Sequence, residues 1–224
     1  MIQKNEERIE KILSEQKRRM KEILDPSNAA LLVIDLQNDF LSPDGIISQD
    51  GGNIEPMRDV LPAIEKISNM FYKLKRPVIR TITYEDLDLR TEAGKDRYYF
   101  STDGGLGERT VCTKGTWGAE LYVSAKEGDI VIEKERVSAY IGGKLHQTIS
   151  DLGIKTMFIV GVKTQRCVKR TAEDLYENER DLHVVLLEDC VASDNPVQHK
   201  AVIEEFREFY PPVMKSQELL DKWN

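Results

Sequence analysis

Phe158-Ile-Val-Gly-Val-Lys-Thr-Gln-Arg-Cys167-Val-Lys-Arg-Thr-Ala-Glu-Asp-Leu175 reads as a buried strand, a tight turn from Gly161 to Thr164, and a helix that begins near Cys167. Val168, Ala172 and Leu175 recur at helical spacing, so one face of that helix turns to a core and Lys169, Arg170 and Glu173 stay outside. A thiol at a helix N-terminus lies where unsatisfied N–H groups and the macrodipole favour negative charge. The expectation is therefore a thiol pKa drawn down towards the reactive thiolate. The competing reading of a lone cysteine is a small buried apolar residue, and the surrounding chain has to decide between them.

Working outward, Ala29-Ala-Leu-Leu-Val-Ile-Asp35 is a short apolar run of the kind buried on both faces of a parallel sheet, ending in a carboxylate. Ligands in open α/β sheets gather at the carboxyl ends of strands, which puts Asp35 where chemistry is expected. Residues 40 to 55, with Pro43, Gly45, Gly51 and Gly52, read as a loop on the same edge. Met57, Val60, Leu61, Ile64, Ile67, Phe71 and Leu74 mark a continuous helical face, and Pro77 to Ile82 is the next strand. From Tyr84 to Lys126 the pattern breaks into polar, glycine-rich sequence, the mark of binding loops or a lid. Strand signals return at Asp129 to Lys134, Lys155 to Val160, Leu182 to Glu188 and near Val213, with helices around Leu145 to Leu152 and Val197 to Phe209. This alternation predicts an α/β, doubly wound, mostly parallel sheet with helices on both faces.

Ahead of that unit, residues 3 to 24 carry Ile9, Ile12, Leu13, Met20, Ile23 and Leu24 along one side of a charged helix ended by Asp25-Pro26. The division is a helical extension over 1–25 and a single domain over 26–224. The extension covers either its own domain or a partner subunit, and a homo-oligomer, dimer or tetramer, is the expectation. A chain of 224 residues can bury one sizeable core, and its net charge of −7 offers no basic stripe for nucleic acid. The three cysteines, 112, 167 and 190, form neither metal-ligand spacing nor a disulfide framework, which suits a reducing cytoplasm. No apolar run approaches the roughly 20 residues of a membrane span. A small-molecule substrate remains, with no nucleic acid or membrane partner expected.

Asp35, Lys134 and Cys167 each stand at or just beyond a strand end, and a carboxylate, an ammonium and a thiol suffice for acyl transfer. Their settings are Val33-Ile-Asp35-Leu-Gln37-Asn-Asp-Phe40, Val131-Ile-Glu-Lys134-Glu-Arg136-Val-Ser-Ala-Tyr140, and Gly161-Val-Lys-Thr164-Gln-Arg-Cys167-Val168-Lys-Arg-Thr171-Ala172. In order and spacing, from about Ala29 to Asp194, these resemble the isochorismatase-like cysteine hydrolases. The resemblance implies a six-stranded sheet and a catalytic triad of Asp35, Lys134 and Cys167. It also implies a cis peptide at Val162–Lys163 and an oxyanion hole from the backbone N–H groups of Lys163 and Cys167. Gln37, Tyr84, Trp117 and Tyr140 are the candidate substrate-binding residues. Arg97, Arg136 and Arg166 are candidate partners for a substrate carboxylate.

Family members that cleave isochorismate lack the cysteine, so Cys167 implies hydrolysis of an amide or ureido C–N bond, as in the relatives acting on carbamoylsarcosine, ureidoacrylate, biuret and maleamate. Nicotinamidase members bind a metal through an Asp-x-His-x-x-His run after the second strand. Here Thr83-Tyr-Glu-Asp-Leu-Asp-Leu89 holds no histidine, so no metal and no cofactor are expected. His146, His183 and His199 share no spacing and read as structural, Cys190 as packing, and Cys112 as a thiol open to solvent. Gly104-Gly-Leu-Gly107 lacks the flanking strand and helix of a phosphate loop. The reading from another class is a non-catalytic member that binds through the same pocket or the first helix. A thiol redox protein would need a resolving cysteine, and Cys-x-x-Cys is absent.

Overall fold

In the computed structural model the described residues are 2–84, 110–210 and 212–223. Six parallel strands form one sheet in the order β3-β2-β1-β4-β5-β6. They are β1 (Ala29–Ile34), β2 (Val78–Thr83), β3 (Ile130–Lys134), β4 (Thr156–Val162), β5 (His183–Ala192) and β6 (Val213–Met214). The longer helices are α1 (Ile2–Ile23), α2 (Leu61–Lys73), α3 (Lys144–Leu152), α4 (Lys169–Asn178), α5 (Pro196–Phe209) and α6 (Ser216–Trp223).

β1 is buried at every position, and its side chains alternate between two cores as the strand pleat requires. Leu31 and Val33 join Phe71 of α2 and Trp223 of α6 on one face. Leu32 and Ile34 join Leu145 of α3, Leu175 of α4 and Phe206 of α5 on the other. A strand apolar on both sides can sit only in the middle of such a sandwich, which is why the unbroken run at 29–34 was informative.

Several local expectations need correction. The predicted helix from Met57 to Leu74 is interrupted: a short turn, Glu55–Asp59, precedes α2, which starts afresh at Leu61 with Pro62 in its first turn. The loop expected over 40–55 contains the short helical turns Asn38–Leu41 and Ile46–Gln49. β5 runs on to Ala192 instead of stopping at Glu188, its pairing with β4 shifting register between Ile159 and Gly161, so Cys190 lies inside the strand. Helix α6 adds an element beyond the last strand that the sequence pattern does not predict. It brings Trp223 against Phe71 and Phe158, with ring centroids 5.0 and 5.4 Å apart, and the indole N–H donates to the Leu24 carbonyl at 2.8 Å. That clasp fixes the end of α1 to the body.

The strand order reverses direction between β1 and β4, the place where an open α/β sheet leaves a crevice at its carboxyl edge. Ile34 pairs with Gly161 there. Gly161 has φ +119, and a Cβ on it would meet the Ile34 carbonyl oxygen at 2.2 Å and its nitrogen at 2.6 Å. Backbone atoms cannot swing aside as a side chain can, so Gly161→Ala must push β4 away from β1 immediately before Asp35 and the Cys167 turn. A loss of about 3 kcal/mol or more in urea unfolding is expected. An unfolding midpoint matching the parent's would show that the strands tolerate the added carbon.

Candidate active site

Three elements converge at the reversal point. Asp35 follows the last residue of β1 and adopts φ +51, a left-handed conformation that aspartate visits more readily than most residues. Its backbone N–H donates to Thr81 Oγ1 at 3.2 Å, and the Thr81 hydroxyl donates in turn to Asp35 Oδ1 at 2.6 Å. A β2 side chain thus sets both the backbone and the carboxylate of the β1 residue. Lys134 ends β3 in register with Thr83. Cys167 lies in a π-helical turn, Thr164–Val168, which leads from β4 into α4. The predicted α-helix therefore starts at Lys169, and Cys167 sits in the wider turn ahead of it.

Lys134 holds these parts together. Its Nζ lies 2.8 Å from Asp35 Oδ2, and donates to Cys167 Sγ at 3.3 Å and to the carbonyls of Arg136 and Val137 at 3.2 and 3.1 Å. The contact with Asp35 is an ion pair made at Oδ2, a carboxylate oxygen shut off from solvent. Asp35 and Lys134 are buried and Cys167 is half-buried. Paired charges held this far from water persist only with close geometry and further hydrogen bonds, and the two carbonyls and Thr81 supply those.

The electrostatics reverse the sequence expectation for the thiol. Burial pushes the Cys167 pKa up, the Asp35 carboxylate adds to the rise, and Lys134 offsets only part, leaving it at about 12. The resting sulfur is a neutral thiol. Burial works against the charge on Lys134, but the neighbouring carboxylate and thiol outweigh it, so its pKa is raised and the ammonium persists.

The other candidate residues separate into groups. Gln37 is buried, and its amide donates to the carbonyls of Thr83 and Ala119, both at 2.8 Å, while its oxygen accepts from the Thr83 N–H. With both amide hydrogens engaged, it braces the loop against β2, so its expected substrate contact is replaced by a scaffolding one. Trp117 presents an exposed indole and accepts from Asn38 through its carbonyl. Tyr84 stacks under Lys114, 5.0 Å from ring centroid to Nζ, and its pKa is raised by burial and by Glu133. Tyr140 meets the ring of His146 edge-on, with centroids 6.3 Å apart. Burial and a hydrogen bond to Glu179, the residue that follows the last turn of α4, raise its pKa. Tyr140 and Cys167 both pack against the core on that face of the sheet.

Arg136 and Arg166 are exposed. Arg97, the acidic residues Glu85, Asp86 and Asp88, and Gly104 to Gly107 lie outside the described residues. Lys163, whose peptide bond with Val162 is cis, pairs through its side chain with Asp194 at 2.6 Å. Cys112 is fully buried, correcting the expected exposed thiol, and its N–H donates to Asp39 at 2.6 Å. Asp39 also accepts from Ile46, and Gly118 lies so close that a Cβ there would overlap the carboxylate. Among the described residues no group of three or more His, Cys, Asp or Glu side chains is placed to hold a metal ion. Clefts of about 610 and 300 Å³ lie elsewhere, one at the amino ends of β2 and β3 and one between Glu188 and His199.

Sequence reading missed two positioning residues. Thr81 carries a visible signal, a hydroxyl at alternate spacing with Thr83 in an otherwise buried strand. His199 hydrogen-bonds Thr164 at 2.9 Å, bracing the turn that bears the cysteine. No spacing links residues 164 and 199, so only the packing of α5 reveals it.

An isochorismatase domain model matches residues 29–218. A probable inactive nicotinamidase of Arabidopsis thaliana is 28% identical over 184 residues, covering 80% of this chain and 88% of that protein. The ureidoacrylate amidohydrolase RutB of Acinetobacter baylyi is 26% identical over 209 residues, covering 88% and 84%. A crystal structure of an isochorismatase family protein from Desulfovibrio vulgaris superposes with TM-score 0.71 at 23% identity, covering 87% of this chain and 97% of that one. No helix of the described residues is long and apolar enough to cross a membrane.

Proposed function

The chain belongs to the isochorismatase family, and from that premise we propose that it is a cysteine-dependent amidohydrolase. It cleaves the C–N bond of a small amide or ureido compound through a thioester and releases ammonia. The observation that carries this reading is the contact of Lys134 with both Asp35 and Cys167, at 2.8 and 3.3 Å. A nucleophile, an acceptor for its proton and a fixed cation stand within reach of one another.

The mechanism follows from the protonation states. The neutral Cys167 thiol gives its proton to Asp35 as sulfur bonds to the substrate carbonyl, so a free thiolate never has to accumulate in the buried site. Lys134 stabilises the negative charge wherever it resides, on Asp35 before transfer and on sulfur during it. The backbone N–H groups of Lys163 and Cys167 are assigned to the tetrahedral oxyanion. Asp35 then protonates the leaving nitrogen, the C–N bond breaks, and the thioester remains. Water attacks the thioester with its proton passing to Asp35. The acid product leaves, and Asp35 returns the proton to sulfur.

The second reading, a non-catalytic binding protein, is favoured by the probable inactive member among the relatives. It gives no reason for a buried ammonium to be held against both a carboxylate and a thiol. Ammonia release across a panel of carbamoyl, ureido and carboxamide compounds separates the two, since a binding protein releases none from any of them. For the active compound, dialysis against a strong chelator is expected to leave the rate unchanged. Iodoacetamide is expected to abolish it, more slowly than it alkylates free cysteine, because the resting sulfur is protonated. Loss of activity on chelation, restored by zinc or manganese, would overturn the metal-free mechanism.

A further inference from the structure

From Glu6 onward, helix α1 takes no part in either core until its last residue. Residues 6–22 are exposed, and Ile23 is the first to be buried. Along this arm Ile9, Ile12, Leu13 and Met20 are 55, 49, 51 and 38% exposed. A helix of 22 residues reaches about 33 Å, and one this isolated is marginal in water unless its apolar stripe is covered. The charges beside the stripe indicate what covers it. Three of the four charged residues between 6 and 10 are glutamates, Glu6, Glu7 and Glu10, whereas Lys17, Arg18, Arg19 and Lys21 are all cationic. Arg18 and Arg19 are drawn to Glu15 and Glu22 within the helix. Glu6, Glu10, Lys17 and Lys21 make no ion pair with any described residue.

We infer that α1 is a self-pairing arm: two copies of this chain associate through their α1 helices, packed antiparallel about a two-fold axis between Ser14 and Glu15. At 100° per residue, Ile9, Leu13, Gln16 and Met20 form one seam with Glu10 and Lys17 on a single flank. Running the second helix backwards sets Ile9 against Met20 of the partner subunit and Leu13 against Gln16 of the partner subunit. The same flanks of two antiparallel helices face each other, so Glu10 meets Lys17 of the partner subunit, and the symmetry repeats the pair. A parallel arrangement sets the cationic stretch Lys17, Arg18, Arg19 and Lys21 beside its own copy, which like-charge repulsion opposes.

The test uses the full chain in sedimentation velocity over a concentration series. Leu13→Asp is expected to halve the sedimenting mass. Glu10→Lys and Lys17→Glu, each alone, are expected to raise the dissociation constant about tenfold, since two attractive contacts become repulsive. The double variant E10K/K17E is expected to recover the parent value, because the exchanged charges again face their opposites. Circular dichroism guards against a merely unfolded arm. A parent chain that stays monomeric throughout overturns the inference, as does a mass unchanged by Leu13→Asp. Failure of the double variant to recover while its arm stays helical overturns the antiparallel register. A monomer that binds anionic vesicles through α1 overturns self-pairing in favour of a membrane surface.

Discussion

Cys167→Ser is expected to fold as the parent does and to lose hydrolysis by at least about 10³-fold. The side chains differ by one atom of similar shape, and residue 167 is only half-buried, so packing changes little. The chemistry changes greatly. A serine hydroxyl is a far weaker nucleophile and needs a strong general base beside it, whereas the groups that contact Cys167 are a carboxylate and an ammonium. His199, the histidine nearest in the fold to this turn, is engaged with Thr164. Ammonia release and thermal unfolding on the same preparation decide the matter. Retained turnover in a correctly folded variant would remove sulfur from the mechanism.

Asp35→Asn is expected to slow hydrolysis by about 10²- to 10⁴-fold, the usual contribution of a positioned general acid–base group. The same change is expected to make Cys167 easier to alkylate. The thiol pKa stands at about 12 because burial raises it, Asp35 raises it further, and Lys134 only partly opposes them. An uncharged asparagine removes the second cause and leaves the third. The pKa therefore falls, and thiolate forms at a lower pH than in the parent. The Thr81 hydroxyl can still donate to the asparagine oxygen, so the local geometry survives. Iodoacetamide inactivation rates measured against pH give the sign: the rise in rate moves to lower pH. A profile that stays in place or moves upward would show that Asp35 does not set the ionisation of the sulfur. The shifted alkylation profile reports the charge of Asp35 on the thiol, and the loss of hydrolysis reports the need for that carboxylate in turnover.

The sheet was legible in the sequence because its signals are local. Val33, Ile34 and Asp35 declare a strand and its end within a few residues, since a strand buried on both faces must be apolar throughout and only its terminus can be polar. Lys134 and the Cys167 turn announced themselves in the same way. Repetition of that pattern, with helical spacing between, predicts parallel strands whose carboxyl ends share one edge, and so places these residues near each other. Elements that rely on distant partners were not legible. Helix α6 is held by aromatic contacts of Trp223 with Phe71 and Phe158, residues far away in the chain.

At the site, strand ends readable along the chain bring the three groups to one edge, but their protonation depends on everything packed around them. A thiol beside a helix N-terminus is a local feature, and taken alone it favours a lowered pKa. Burial by the surrounding elements and the charge of Asp35, from a strand more than a hundred positions earlier, outweigh it and keep the sulfur protonated. Likewise Gln37 lies within a recognisable motif, yet its amide nitrogen is engaged by the carbonyls of Thr83 and Ala119. Ionisation and side-chain direction follow from desolvation and charge summed over every neighbour in space. Most of those neighbours are distant in the chain, and no pattern along it records where they come to lie.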